Sequence, residues 1–260
     1  MKRAVQGLYM AVLYLFLYAP ILVLIVFSFN DGKSMAHWDG FTLRWYVSLF
    51  QNEQIMQSLY QTLALAAISA LVATVLGTAA AIAIHGMRPW AQTLIMNLTY
   101  IPVLNADIVT GIGLMLLFIF MHLDLGFVSV LLAHITFNLP YVILSVMPKL
   151  KQLDHHIYEA ALDLGATPWQ AIRKVIIPEI MPGVFTGALL AVTLSIDDFV
   201  VSFFTAGAGV NTLSMTIFSM ARRGIKPEIN ALSALLFVSV LALLLLVNRR
   251  GKKGDHNVLY

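Results

Sequence analysis

Charged residues are scarce in this sequence of 260 residues, and cysteine is absent altogether. Only 11% of the residues are charged and 60% are apolar, whereas soluble domains have about 25% and about 45–50%. So few charges cannot cover a water-facing surface, which excludes a soluble enzyme and a disordered chain. The lack of cysteine excludes disulfides, thiolate metal sites and a cysteine nucleophile. With a mean hydropathy of +0.84, the composition indicates a multi-pass membrane protein.

Two sequence patterns are also missing, and each absence excludes a function. The chain has no G-x-x-x-x-G-K-[ST] phosphate loop, so it cannot bind ATP through that motif. It has no nucleophile–base or metal-ligand constellation, so we predict no catalytic residue and no metal site, and the chain is not expected to be an enzyme. The net charge of +3 agrees with basic residues that set the orientation of helices in a membrane. We predict no nucleic-acid partner.

Six apolar runs approach or exceed the roughly 20 residues that a membrane-spanning helix needs. They cover residues 9–29, 58–84, 94–121, 126–147, 183–205 and 230–247. With a cytoplasmic N-terminus, 11 of the 16 Lys and Arg residues lie on the inside, in agreement with the positive-inside rule. We therefore predict an all-α integral membrane protein with six transmembrane helices and both termini in the cytoplasm. The first run is predicted to be a retained anchor.

Acidic residues occur at only three positions within these runs: Asp107, Asp197 and Asp198. At about 1.5 Å per residue, Asp107 and Asp197 both lie about 20 Å into their runs, at a matching depth. Pro102 and Asn105 also interrupt the third run, which predicts a broken helix that lines a cavity. The runs contain no Lys or Arg, so an unpaired acidic cluster suits a cationic passenger. Alternatively, the aspartates cap broken helices or pair with a basic group.

The segment between the fourth and fifth runs predicts two short helices on the cytoplasmic side. Asp154 can cap the first helix, and Gly165 can end it at low steric cost. Thr167, followed by Pro168 and by Gln170, is the capping-box arrangement that starts a second helix. Pro178 and Pro182 are expected to end the segment. The pattern alone is compatible with a simple connecting hairpin or with a docking element.

This segment also resembles the EAA loop of ABC-importer permeases, whose pattern is E-A-A-x3-G-x9-I-x-L-P. The matching residues are Glu159, Ala160, Ala161, Gly165 and Pro178, with Val175 and Ile177 replacing Ile and Leu. The resemblance implies a type I importer permease fold and a loop that docks into a separate ATPase. By that resemblance, those five matching residues form the ATPase-coupling site.

Other motifs resemble those of spermidine/putrescine permeases. They are Ser-Phe-Asn at 28–30, Arg-Trp-Tyr at 44–46, Asn-Ala-Asp-Ile-Val at 105–109, Thr-Leu-Ser-Ile-Asp-Asp at 193–198 and Lys-Pro-Glu-Ile-Asn-Ala-Leu at 226–232. The resemblance implies a substrate pathway for polyamines. Its predicted residues are Asp107, Asp197, Asp198, Ser195, Trp45 and Tyr100, with aromatic faces holding methylenes and cations.

The resemblance further implies the partners and the location of the chain. Expected partners are a homologous permease subunit, two copies of a cytoplasmic ATPase, a periplasmic polyamine-binding protein and membrane lipid. The chain would bind no cofactor, since ATP and Mg act in the ATPase, and it would lie in a bacterial inner membrane. We expect an N-terminal helix and periplasmic loop over 1–57, a permease core over 58–248 with its coupling loop at 154–182, and a basic tail over 249–260.

Two other functions remain open at this point. One is a permease for another cationic solute, and the other is a proton-coupled secondary transporter that uses the intramembrane aspartates as carriers.

Overall fold

The computed structural model describes residues 2–32, 37–154, 156–223, 227–238 and 241. Apart from one bridge pair between Asn30 and Phe41, the regular elements in these ranges are helices, which confirms the all-α class. In chain order they are α1 (Lys2–Phe27), α2 (Arg44–Gln51), α3 (Glu53–His85), α4 (Pro89–Leu104), α5 (Asp107–Phe120), α6 (Phe127–Gln152), α7 (His156–Asp163), α8 (Pro168–Ala171), a π-turn (Ile172–Ile176), α9 (Ile177–Asp197), α10 (Val200–Thr205), α11 (Leu213–Arg223) and α12 (Pro227–Val238).

The long apolar helices correspond to the first five predicted runs. Within the described ranges, four helices are long and apolar enough to cross a membrane, and the bent pair α4–α5 makes a fifth span if it is counted as one. The sixth run begins in α12. Its residues 239–240 and 242–247 lie outside the described residues, as does the tail over 249–260.

The third run is broken, as its sequence predicts. Helix α4 ends at Leu104, α5 begins at Asp107, and the two helix axes meet at 104°. Asn105 adopts an extended backbone conformation at the break. Pro102 remains inside α4, two residues before its end.

The fifth run differs from its prediction at both ends. Its helix begins well before residue 183, because α8, the π-turn and α9 follow one another without interruption from Pro168 to Asp197. Pro178 and Pro182 therefore do not end the helix that starts at Pro168, contrary to the break expected there. Both prolines are helical. The wide π-turn directly precedes α9, whose second residue is Pro178. The ring of Pro178 would crowd a regular helical turn at this point. At the other end, the helix breaks after Asp197 and resumes as α10 at Val200.

By internal contacts the chain divides into two compact units. The terminal unit comprises Met1–Met56 and Ile217–Tyr260, and the central unit comprises Gln57–Thr216. The central unit therefore contains most of α3, all of α4 to α10 and the start of α11.

The core of the central unit lies where α3, α6 and α9 pack together. Its buried side chains are small on α3 and larger on α6: Ala70, Ala73, Ala81 and Ile84 from α3, Val142, Ile143, Val146, Met147 and Leu150 from α6, with Ile180 and Ala191 from α9. Gly183 allows α9 to approach α6 closely, since a Cβ there would lie 2.9 Å from the carbonyl oxygen of Ser145. Small residues permit such close packing of membrane helices.

The terminal unit is organised around the buried side chain of Asn30. Its Oδ1 accepts a hydrogen bond from the Asp39 amide at 2.7 Å, and its Nδ2 donates to the His37 carbonyl at 2.9 Å. The Asn30 carbonyl accepts from the Trp45 indole at 2.7 Å, which joins α2 to the loop. In the same unit, the Ser48 hydroxyl donates to Glu228 of α12 at 2.7 Å.

Candidate functional site

Two helix breaks bring the predicted aspartates together in the central unit. Asp107 is the first residue of α5, directly after the α4–α5 break. Asp197 is the last residue of α9, and Asp198 follows it at the α9–α10 break. Helices α5 and α10 pack against each other, and Gly111 of α5 lies close to the backbone of Val200 and to the ring of Phe204. The two breaks are therefore neighbours.

A cavity of about 260 Å³ lies where the breaks meet. All three predicted aspartates line it. The other lining residues come from α4, α5, α6 and the α9–α10 region: Pro102, Thr110, Phe137, Tyr141, Leu194, Phe199, Val200 and Val201. The cavity therefore combines carboxylates with aromatic rings.

The three carboxylates differ in their partners. Among the described residues, neither Asp107 nor Asp197 has a hydrogen-bond or ion-pair partner for its carboxylate, and both side chains are exposed. Asp198 instead accepts hydrogen bonds from the amides of Val201 at 3.2 Å and Ser202 at 2.7 Å. Asp197 and Asp198 are adjacent in sequence, yet only Asp198 is held by the fold.

Asp198 also faces a basic side chain that the sequence reasoning overlooked. Nε2 of His134 on α6 lies 3.5 Å from Oδ2 of Asp198 and 3.0 Å from Oγ of Ser202. Only Lys and Arg were considered as basic partners of the aspartates, so the pairing with His134 was not predicted. The signal was present, since His134 is the histidine within the fourth run, at membrane depth, where ionisable groups usually have partners.

Ser195 does not line the cavity with the aspartates. It is buried between α3, α6 and α9, where its hydroxyl lies 3.0 Å from that of Ser69 and accepts a hydrogen bond from Nδ2 of Asn138 at 2.8 Å. These three side chains form a small polar cluster inside the helix core.

Neither of the two predicted aromatic residues is among those that line the cavity. Tyr100 is exposed on α4 and is not part of the cavity lining. Trp45 belongs to the terminal unit, where its ring is buried beneath the guanidinium of Arg44 at 4.6 Å. The aromatic residues of the lining are Phe137, Tyr141 and Phe199. Their spacing in sequence carried no signal, because aromatic residues are common throughout the apolar runs.

The predicted coupling loop is built from local backbone contacts. Asp154 caps α7 by accepting a hydrogen bond from the amide of His156 at 3.0 Å. At the other end of α7, Gly165 has a φ of +85°, its amide donates to Leu162, and the Ala166 amide donates to Ala161. This pair of bonds is the Schellman arrangement, with glycine at the left-handed position.

The second helix of the loop starts with the predicted capping box. The Gln170 amide donates to Oγ1 of Thr167 at 3.3 Å, and the Thr167 amide donates to Oε1 of Gln170 at 3.0 Å. The EAA-like residues lie on the outside of the loop: Glu159, Ala160, Gly165 and Pro178 are exposed and Ala161 is half-buried. Leu164 and Trp169, which the sequence reasoning did not single out, are also exposed, at 89% and 66%.

The described residues contain no group of three or more His, Asp or Glu side chains arranged as metal ligands. The chain belongs to the family described as binding-protein-dependent transport system inner membrane component, whose sequence profile matches residues 73–250. It is accordingly a multi-pass protein of the inner membrane.

The chain is also similar to individual permease proteins of this family. The chain is 39% identical over 256 residues to the spermidine/putrescine transport system permease protein PotC of Escherichia coli (strain K12), covering 97% of each chain. It is 40% identical over 233 residues to the putrescine transport system permease protein PotI of the same organism, covering 86% of this chain and 83% of that protein. The resemblance to polyamine permeases is thereby confirmed.

Solved structures share the fold. A chain of a bacterial ABC transporter involved in the import of the acidic polysaccharide alginate superposes with a TM-score of 0.74 at 19% identity, covering 97% of this chain and 95% of that one. A second structure of the bacterial alginate ABC transporter, in complex with an alginate pentasaccharide-bound periplasmic protein, gives a TM-score of 0.70 at 19% identity, covering 95% and 92%. At this identity the likeness concerns the fold alone.

Proposed function

We propose that this chain is a transmembrane permease subunit of an ATP-driven importer of polyamines, spermidine or putrescine or both. The observation that carries the proposal is its 39% identity, over 97% of both chains, to a spermidine/putrescine permease protein. The acidic cavity at the two helix breaks supports the cargo assignment independently. Fold alone does not decide the cargo, because a similar fold serves a transporter of an acidic polysaccharide.

The lining of the cavity matches the chemistry of a polyamine. Such a molecule alternates ammonium groups with short methylene chains. The unpaired carboxylates of Asp107 and Asp197 can neutralise ammonium groups, and the rings of Phe137, Tyr141 and Phe199 can contact both the methylenes and the cations. Charge-assisted contacts of this kind are stronger in a partly desolvated site than in water.

The proposed complex supplies the parts that this chain lacks. The sequence has no phosphate loop, so ATP and Mg are assigned to two copies of a separate ATPase, and this chain binds no cofactor. A homologous permease completes the pathway and a periplasmic binding protein delivers the cargo. The exposed residues Glu159, Ala160 and Gly165, with Leu164 and Trp169 beside them, form the proposed docking surface for the ATPase.

The proposed topology has six spans and two cytoplasmic termini, in a type I importer arrangement. The permease core covers 58–248 with its coupling loop at 154–182, after an N-terminal helix and periplasmic loop over 1–57 and before a basic tail over 249–260. The distribution of Lys and Arg supports this orientation. Because the chain has no cysteine, single introduced cysteines report the topology without background.

Cysteines at Lys2, Glu159 and Arg222 separate the possible topologies. In intact cells with permeabilised outer membranes, an impermeant maleimide should label Arg222→Cys only, and lysis should expose the other two. Labelling of Glu159→Cys in intact cells would contradict the proposed position of the coupling loop.

Uptake by the reconstituted complex tests the function. The chain is co-expressed with its sister permease, ATPase and binding protein, purified and placed in liposomes loaded with ATP and Mg. Radiolabelled putrescine and spermidine are then offered with excess binding protein. We expect uptake that requires internal ATP and persists with a protonophore.

Two outcomes would contradict the proposal. Uptake that continues without ATP and collapses with the protonophore would identify a secondary transporter. ATP-dependent uptake of arginine or another cation, with none of either polyamine, would identify a permease for a different solute.

A further inference from the structure

The clearest unexplained feature is a buried histidine beside the cavity. His134 lies on α6 with none of its side chain exposed, and its ring packs edge-on against Phe137, with ring centroids 5.2 Å apart. Its Nε2 points across to the α9–α10 break, 3.0 Å from Oγ of Ser202 and 3.5 Å from Oδ2 of Asp198. Burying an imidazole in a membrane helix is costly unless a specific contact compensates.

The carboxylate that His134 faces is already engaged by the backbone. Oδ1 of Asp198 accepts from the Val201 amide, and Oδ2 accepts from the Ser202 amide, so the side chain caps the first turn of α10. The Asp198 side chain is only 9% exposed. Both of its oxygens therefore have donors from the protein before any cargo arrives.

The carboxylates of Asp107 and Asp197 are not engaged by the protein in this way. Within the part of the chain that the structure describes, the carboxylates of Asp107 and Asp197 accept no hydrogen bond and form no ion pair, and both are exposed beside the cavity. An ammonium group that enters the cavity can therefore approach these two carboxylates without breaking a bond inside the protein.

We infer that His134 is a positioning residue that holds Asp198 as the cap of α10, and that Asp107 and Asp197 are the two acids that contact the cargo. The inference rests on the proposed polyamine function and assigns different roles to the three aspartates. Through His134, α6 fixes the geometry of the α9–α10 break. The break in turn places Asp197 at the cavity.

Amide substitutions at the three aspartates test the division of roles. Asn removes the charge but keeps an oxygen that can cap a helix. In the reconstituted complex, with uptake normalised to inserted protein, Asp107→Asn and Asp197→Asn should each lower polyamine uptake about tenfold or more, because each loses a charge-assisted contact. Asp198→Asn should stay within about threefold of wild type, since its oxygen still caps α10.

The outcomes separate this inference from the proposed function. If Asp198→Asn loses as much uptake per molecule as Asp197→Asn, the capping role is overturned while the acidic site stands. If Asp107→Asn and Asp197→Asn both transport like wild type, the site assigned under the proposed function fails, and this inference fails with it.

Substitutions of His134 test the positioning role directly. Gln keeps a polar group near the position of Nε2, whereas Phe keeps an aromatic ring and loses the polar nitrogen. We expect His134→Phe to lower uptake about tenfold at equal abundance and His134→Gln to recover most of it. In the Asp198→Asn background the difference between Gln and Phe should shrink, because His134 acts through the Asp198 carboxylate.

A packing role alone predicts a different pattern. If Phe and Gln at position 134 give equal uptake per inserted molecule, the polar contacts of His134 are irrelevant and the positioning role is overturned. If neither variant inserts, Ser202→Ala serves as the second probe, since it removes one contact of His134 but keeps the amide that bonds Asp198. Ser202→Ala should transport within about threefold of wild type, and a larger loss at normal abundance would contradict the inference.

Discussion

The cavity and the proposed coupling loop lie at opposite ends of one helical segment, Pro168–Asp197, and they are held together in different ways. In the loop, each cap joins residues no more than five apart, and the side chains involved are exposed. At the cavity, the contact between His134 and Ser202 joins residues 68 positions apart, and both side chains are buried. The caps of the loop therefore depend on neighbouring residues in sequence, whereas the contacts beside the cavity depend on how α6 packs against α10.

Replacing Asp198 by an apolar side chain should have the largest effect. Asp198→Leu leaves the amides of Val201 and Ser202 without their acceptor and removes the carboxylate beside His134, and each buried unsatisfied amide costs about 1–3 kcal/mol. We expect a loss of about 3 kcal/mol or more, seen as low membrane abundance and a lower midpoint in thermal unfolding of the purified complex.

Asp107→Leu is the matched control for that change. Its carboxylate has no partner among the described residues, so abundance should stay near wild type although uptake is lost. Equal losses of abundance in both variants would remove the distinction between a structural and a free aspartate.

A substitution at Gly165 should have an intermediate effect and should leave assembly intact. A side chain at a φ of +85° is strained by about 1–2 kcal/mol, and a β-branched residue fits worst. Gly165→Val should insert normally but lower uptake and ATPase stimulation by about tenfold. Gly165→Asn should retain most activity, because asparagine tolerates this conformation. Wild-type coupling in the valine variant would argue against the docking role of the loop.

The smallest effect is expected at the capping box. Thr167→Ala removes one cap bond worth about 1 kcal/mol, and Thr167→Ser keeps the hydroxyl. Amide hydrogen exchange over 168–172 should quicken about fivefold in the alanine variant only, with uptake within about threefold of wild type. If exchange instead quickened across α9, the assumption that loop contacts stay local would be wrong.

The same contrast explains what could be predicted from the sequence. The cap at Asp154, the glycine corner at Gly165 and the capping box at Thr167 depend on residues within one turn, and the spacing alone indicated each of them. The break at Asn105 could also be predicted from the sequence, because Pro102, Asn105 and Asp107 lie close together in an otherwise apolar run.

The contacts at the cavity were predicted only in part. The sequence predicted a matching depth for Asp107 and Asp197, and the structure places both in the lining of one cavity. The pairing of His134 with Asp198 and the burial of Ser195 with Asn138 depend on how α6 packs against α9 and α10, which no local pattern specifies. The aromatic lining of Phe137, Tyr141 and Phe199 depends on the same packing.

The uninterrupted run from Pro168 to Asp197 also sets a mechanical scale. Its 30 residues extend about 45 Å at about 1.5 Å per residue, so the run would act as a lever between the exposed loop and the carboxylate of Asp197 if it moved as one body. A rigid tilt of only about 5° about one end carries the other end through about 4 Å, which exceeds the length of a hydrogen bond. Under the proposed function, such a tilt would be large enough to move Asp197 out of reach of a bound ammonium group.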